Sequence, residues 1–137
     1  MQKRFVILDG SSLLFRAFFA LPPLTAPTGE YTNAIFGFAN MLLKLWEDWH
    51  PDYLVIAFDK GRDKTPAELL GQIPLLHDFA AALGIPFIER AGYEADDIIG
   101  TLATQAAGAG LDALVVTGDR DALQLVRPNL RVMLTKK

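Results

Sequence analysis

Seven carboxylates stand where a chain could turn them to chemistry: Asp9, Asp59, the group Glu94-x-Asp96-Asp97, and the pair Asp119-x-Asp121. Each has an ordinary explanation by itself. Asp-Gly after an apolar run is commonly a turn, and acidic residues in the first turn of a helix are favoured by capping and by the helix dipole. Taken together they are like charges that repel unless a cation is bound among them. Mg²⁺ or Mn²⁺ suits such a set, since hard divalent cations prefer oxygen ligands and keep several waters. Two such ions, roughly 3.5–4 Å apart, activate a water and stabilise the leaving oxygen of a phosphodiester. In Glu94-x-Asp96-Asp97 the residues at i and i+3 share a helix face while i+2 diverges, so the group can present ligands directly and through water.

Other chemistries lack their residues. There is no cysteine, which excludes thiol catalysis, disulfides and Cys-ligated metals. The two histidines, His50 at a helix end and His77 within a helix, neighbour no nucleophile and read as surface residues. No Walker loop and no G-x-G-x-x-G after a strand is present. An aspartyl phosphatase needs a second acid where this chain has Ser11. Arg16, just past the Asp9 turn, could hold a phosphate or form an ordinary salt bridge. Lys60, Arg62 and Lys64 form a basic link that touches a polyanion or is simply solvated. The aromatics Phe15, Phe18, Phe19, Phe36 and Phe38 could stack on bases, but their helical spacing places most of them in the core.

The elements that must carry these residues alternate. Continuous apolar runs at Phe5–Leu8, Tyr53–Phe58, Pro86–Glu89, Leu111–Thr117 and Leu130–Leu134 read as buried strands. Helices are expected at Leu13–Ala20, capped by Ser11 or Ser12, at Asn33–Trp49, from Thr65 to about Leu83 with Pro74 kinking it or marking a local irregularity, at Glu94–Ala107, and briefly from Asp119 through Leu125. This order predicts an α/β three-layer domain around a mainly parallel sheet of about five strands. The carboxylates then follow strand ends, where the loops of an open parallel sheet converge.

The 137 residues suit one domain with its own core, 51% hydrophobic, and no run approaches a membrane span. An intracellular, cytoplasmic protein is the default. The net charge of -3 argues against a nucleic-acid partner at first sight. Setting the seven carboxylates aside leaves nine acids against 13 bases, so the remainder is +4 and the acidity is local.

Phe5-Val-Ile-Leu-Asp-Gly10, Thr32-Asn-Ala-Ile-Phe-Gly-Phe38, Val55-Ile-Ala-Phe-Asp59, Gly92-Tyr-Glu-Ala-Asp-Asp-Ile98 and Val116-Thr-Gly-Asp-Arg-Asp-Ala-Leu-Gln-Leu125 closely resemble, in order, the 5′-nuclease domain at the N-terminus of bacterial DNA polymerase I. That resemblance implies a PIN-like (resolvase-like) fold of the flap-endonuclease superfamily. It implies a Mg²⁺- or Mn²⁺-dependent 5′-3′ exonuclease and flap endonuclease, acting as a monomer on DNA with a 5′ end or flap and on RNA primers. It implies that Asp9, Asp59, Glu94, Asp96 and Asp97 surround a first metal and that Asp119 and Asp121 contribute to a second. Asp9, Asp59, Asp97 and Arg16 would then be catalytic, with Arg16, Lys60 and Arg62 contacting nucleic acid. The family carries a longer basic arch after the strand that ends at Asp59, where this chain has only Lys60-Gly61-Arg62 before the next helix start. It also continues past the point corresponding to Lys137 into a helix–hairpin–helix region with further second-site aspartates. Residues 1–137 are accordingly expected to form the metal-binding N-terminal domain and to cleave weakly. The alternatives are a PIN-like single-strand ribonuclease and a catalytically impaired DNA-binding fragment.

Overall fold

The computed structural model describes residues 3–22, 24–29, 31–59, 67–89, 94–120, 124 and 130–134. The fold grows outward from one strand. β1 (Arg4–Asp9) buries Val6 and Leu8 on one face and Ile7 on the other, so it must be covered on both sides. It lies between β2 (Tyr53–Phe58) and β4 (Asp112–Thr117), parallel to both, with Asp9 opposite Ala57 and Leu8 opposite Val116. β3 (Phe87–Glu89) and β5 (Leu130–Leu134) complete a five-stranded, all-parallel sheet in the order β3-β2-β1-β4-β5.

One face is covered by α1 (Gly10–Ala20), α2 (Asn33–Trp49), α3 (Ala67–Leu70) and α4 (Ile73–Leu83), which bury Leu13, Leu14, Phe38, Leu42, Leu69 and Leu76 against it. On the opposite face lies α5 (Ala95–Gly108). Its small Ala95, Ala103 and Ala106 allow close approach while Ile98 and Ile99 fill the space beside Ile7, Val55 and Val115. The expected three-layer α/β architecture is therefore present. No helix among the described residues is long and apolar enough to cross a membrane.

Two local expectations are corrected. The helix expected from Thr65 to Leu83 is two helices, α3 and α4, separated by Gly71 and Gln72. Pro74 starts the second one at its first turn, where its missing N–H costs nothing, instead of kinking a continuous helix. The first helix is capped by Asp9, whose carboxylate accepts from Ser12 N, and not by Ser11 or Ser12. The Thr65 start, the 60–64 link and most of the 119–125 helix lie outside the described residues.

No loop separates β1 from α1, so Gly10 is pressed against β2. A Cβ there would stand 2.7 Å from Ile56 Cγ2 and 3.0 Å from Ala57 O. Gly10→Ala is expected to lower stability by about 1–3 kcal/mol, the range typical of overpacking, although alanine favours helix in isolation. Urea denaturation would show it as a reduced midpoint; an unchanged midpoint would mean that α1 yields freely.

Candidate active site

The sheet order reverses direction at β1: the chain moves outward through β2 and β3, then crosses back to β4 and β5. A switch of this kind opens a crevice at the carboxyl ends of the two strands involved. An open cleft of about 450 Å³ lies there, lined by Ser12, Phe15, Arg16, Phe19, Ala20, Gly118 and Asp119.

Asp9 is hydrogen-bonded to Ser12 of the cleft wall and is only 3% exposed. Because it is both the last residue of β1 and the cap of α1, its carboxylate is drawn beneath the first helical turn. Oδ1 accepts from Ser12 N at 3.3 Å, and Oδ2 accepts from Thr117 Oγ1 at 2.7 Å. Both donors are neutral, and no cationic side chain among the described residues pairs with it. A buried carboxylate without a cation is costly, and such groups are normally paired or bound to metal. The donor chemistry therefore suits a hard divalent cation beside Asp9.

The hydroxyls around Asp9 have a determined sense. A carboxylate only accepts, so Thr117 spends its single proton on Asp9. Thr117 Oγ1 is thus the acceptor from Ser12 Oγ at 3.2 Å and from Asp119 N at 3.0 Å. Ser12 Oγ in turn accepts from Gly118 N at 2.9 Å, with Asp9 O a longer alternative for its proton at 3.4 Å. On the other side Ser11 Oγ accepts from Asp59 N at 2.6 Å. The first turn of α1 consequently ties together the carboxyl ends of β2, β1 and β4, and with them the backbones of Asp59, Asp9 and Asp119.

Arg16, one turn further along α1, lies across Gly118. Its Nε and Nη2 donate to Gly118 O at 3.4 and 3.3 Å. The remaining guanidinium N–H groups have no protein acceptor among the described residues, and no carboxylate there forms an ion pair with Arg16. Of its two sequence readings, the salt bridge is absent among the described residues. Placing most of the five phenylalanines in the core is corrected: Phe38 is buried and Phe18 half-buried, while Phe15, Phe19 and Phe36 are exposed, Phe19 by 61%. The inner face of α1 is filled by Leu13, Leu14 and Phe18, so Phe15 and Phe19, four residues apart with rings 4.8 Å from one another, turn to the cleft.

The other expected ligands are more dispersed. Asp59 and Asp119 are half-buried at the same edge as Asp9. Glu94, Asp96 and Asp97 are exposed at the start of α5, where Glu94 and Asp97 form a capping box with Glu94 N donating to Asp97 Oδ2 at 3.3 Å. Among the described residues no three Asp, Glu or His side chains form a group that could hold a metal ion. Asp121, Lys60 and Arg62 lie outside the described residues. The exposed histidines keep to the surface, His77 stacking on Phe87 and pairing with Glu89 at 3.7 Å. Sequence reasoning assigned no site role to Ser12, Thr117 or Gly118. The Thr-Gly-Asp string was visible, but its partner on α1 is 105 residues away and leaves no local signal.

Residues 4–137 match the family model described as 5′-3′ exonuclease, N-terminal resolvase-like domain. The chain belongs to this family. The exonuclease-family domain is also 44% identical to DNA polymerase I of Bacillus caldotenax over 152 residues, covering 100% of this chain but 17% of that protein. It thus spans about one sixth of that relative's length. Among solved structures, T5 5′-exonuclease with bound divalent metal ions (zinc) superposes with a TM-score of 0.68 at 17% identity, over 94% of this chain and 54% of that one. The T5 flap endonuclease in a pseudo-enzyme-product complex with DNA and metal ions gives 0.65 at 18%, over the same shares. At these identities the likeness is one of fold, and it places the exonuclease-family domain among PIN-like α/β folds.

Proposed function

We propose that the domain is the catalytic N-terminal part of a divalent-metal-dependent 5′-3′ exonuclease and flap endonuclease, hydrolysing DNA phosphodiesters within a DNA polymerase I-type repair and replication enzyme of the cytoplasm. The observation that carries this reading is Asp9: a buried carboxylate with neutral partners only, beside a switch-point cleft, in a chain of the 5′-3′ exonuclease family. The metal-bound and DNA-bound T5 enzymes of like fold support the cofactor class and the substrate class.

Asp9, Asp59, Glu94, Asp96 and Asp97 would hold a first Mg²⁺ or Mn²⁺, and Asp119 and Asp121 a second. When bound, such ions make water a nucleophile at neutral pH and offset charge on the leaving oxygen. The chain's own groups do the rest. Thr117 fixes the Asp9 carboxylate, and Arg16 presents its unspent N–H donors to a phosphate on the cleft side. Phe15 and Phe19 offer apolar ring surface beside it, and Lys60 and Arg62 would supply further positive charge for a nucleic acid. The domain acts as a monomer and accepts RNA primers as well as DNA.

Titration with Mn²⁺ in a calorimeter should show binding that Asp96→Asn with Asp97→Asn weakens by about tenfold or more, the scale expected when coordinating or orienting groups are lost. A 5′-flap DNA should be cut faster than a matched single-stranded RNA. The reverse preference would favour a single-strand ribonuclease, DNA binding without cleavage in Mn²⁺ an impaired binder, and no divalent binding at all would remove the metal reading.

A further inference from the structure

The Thr32–Phe38 string holds no residue of the site just described, yet Asn33 within it is one of the few buried polar residues, 1% exposed. Its partner is Gln72, 0% exposed, at the break between α3 and α4. Gln72 Oε1 accepts from Ala34 N at 2.8 Å and Ile35 N at 3.1 Å, and so caps the N-terminus of α2, which Thr32 leaves without a side-chain cap. Gln72 Nε2 donates to Asn33 Oδ1 at 2.9 Å and to Glu68 O at 3.2 Å. Asn33 Nδ2 donates to Phe18 O at 2.9 Å and Leu21 O at 3.4 Å, the orphan carbonyls where α1 ends.

Both amides are fixed in sense. Reversing Gln72 would set its NH₂ against two backbone N–H donors and its oxygen against Glu68 O. Every hydrogen-bonding capacity of Gln72 is used, so the pair is a satisfied buried network and not a frustrated one. It joins four helices through two side chains. A second close contact holds α2 to α1 beside it: a Cβ on Gly37 would lie 2.9 Å from Ala17 Cβ.

One of those helices carries a phosphate-contacting candidate. α1 carries Arg16 and, through its cap, Asp9. We infer that Gln72 and Asn33 are positioning residues that set where the Arg16 helix stands relative to α2, α3 and α4, and so govern the grip on the substrate strand. This inference rests on the nuclease reading.

The test compares wild type with Gln72→Met, which keeps length but loses all four bonds, and with Gln72→Glu, which keeps the acceptor for Ala34 and Ile35 and loses both donations. Leu76→Val, in the same helix core, serves as a destabilised control. Both Gln72 variants should raise KM for a 5′-flap DNA about fivefold or more while Mn²⁺ affinity stays within about twofold, and the control should leave KM unchanged. Amide hydrogen exchange over residues 16–21, the end of α1 and its cap, should quicken about tenfold in both, although Gln72 is hydrogen-bonded to that end only through Asn33. A KM and exchange pattern matching Leu76→Val would overturn the inference. Should wild type leave flap DNA uncut, the proposed function falls, and exchange alone decides the relay: unchanged rates in α1 sink it, faster rates keep it. If Gln72→Met does not fold, Gln72→Glu carries the same two readouts.

Discussion

Asp9→Asn is expected to leave the metal-free domain as stable as wild type while cleavage falls by about 10²–10³-fold or more, the scale set by losing one group that stabilises a transition state. The two halves of this expectation have separate causes. The amide oxygen can still accept from Thr117, which turns the NH₂ toward Ser12 N and gives up the cap bond. The bond to Ser12 N is already long at 3.3 Å, and removing a buried charge with no cationic partner among the described residues offsets its loss. Stability without metal should therefore change by no more than about 1 kcal/mol. Cation binding would lose the most buried of the proposed donors among the described residues. In thermal unfolding, wild type should gain about 2.7 kcal/mol at a Mn²⁺ concentration of 100 times Kd, and Asp9→Asn should gain little at the same concentration. A variant that melts lower without metal would show Asp9 to be mainly a structural cap, and one that keeps the Mn²⁺ shift would place the cation elsewhere.

The stability and the chemistry of Asp9 were not equally visible in the sequence. An apolar run ending in a carboxylate is a local pattern, so Asp9, Asp59 and Asp119 could be assigned to strand ends, and register then brings those ends to one edge. The same holds for α5, whose start at Glu94 is written in its capping residues. What could not be read is long-range. That Asp9 is buried follows from the absence of any loop before α1 and from Thr117, which is 108 residues away. Spacing of i and i+4 puts Phe15 and Phe19 on one face of α1 but cannot say which face the sheet covers, so the core assignment failed there. Pro74 was legible as an irregularity, whereas the choice between a kink and a fresh helix start was decided by Gln72, whose hydrogen bonds to residues 33–35 fall between distant parts of the chain.

The relation between Arg16 and Gly118 yields the second large effect. A Cβ at Gly118 would fall 2.5 Å from Arg16 Nε and 2.6 Å from Arg16 Cδ, so the arginine occupies the volume that any other residue's side chain would need. Gly118 does not have the positive φ of Gly29, Gly84 and Gly110, so alanine is sterically allowed on the backbone itself. The obstructed group is the far part of a flexible side chain in an open cleft, and it can swing away at small cost to the fold. Gly118→Ala is therefore expected to act as an indirect arginine variant. It should lower kcat on a 5′-flap DNA by about 10²-fold, approaching the loss from Arg16→Ala, with the unfolding midpoint close to wild type. The decisive measurement is the double variant. If both substitutions remove the same guanidinium from the same phosphate, Gly118→Ala combined with Arg16→Ala should be no slower than Arg16→Ala alone. Additive losses would mean that Gly118 matters through the backbone N–H it donates to Ser12, and hence through the Thr117–Asp9 pair, instead of through the arginine that covers it.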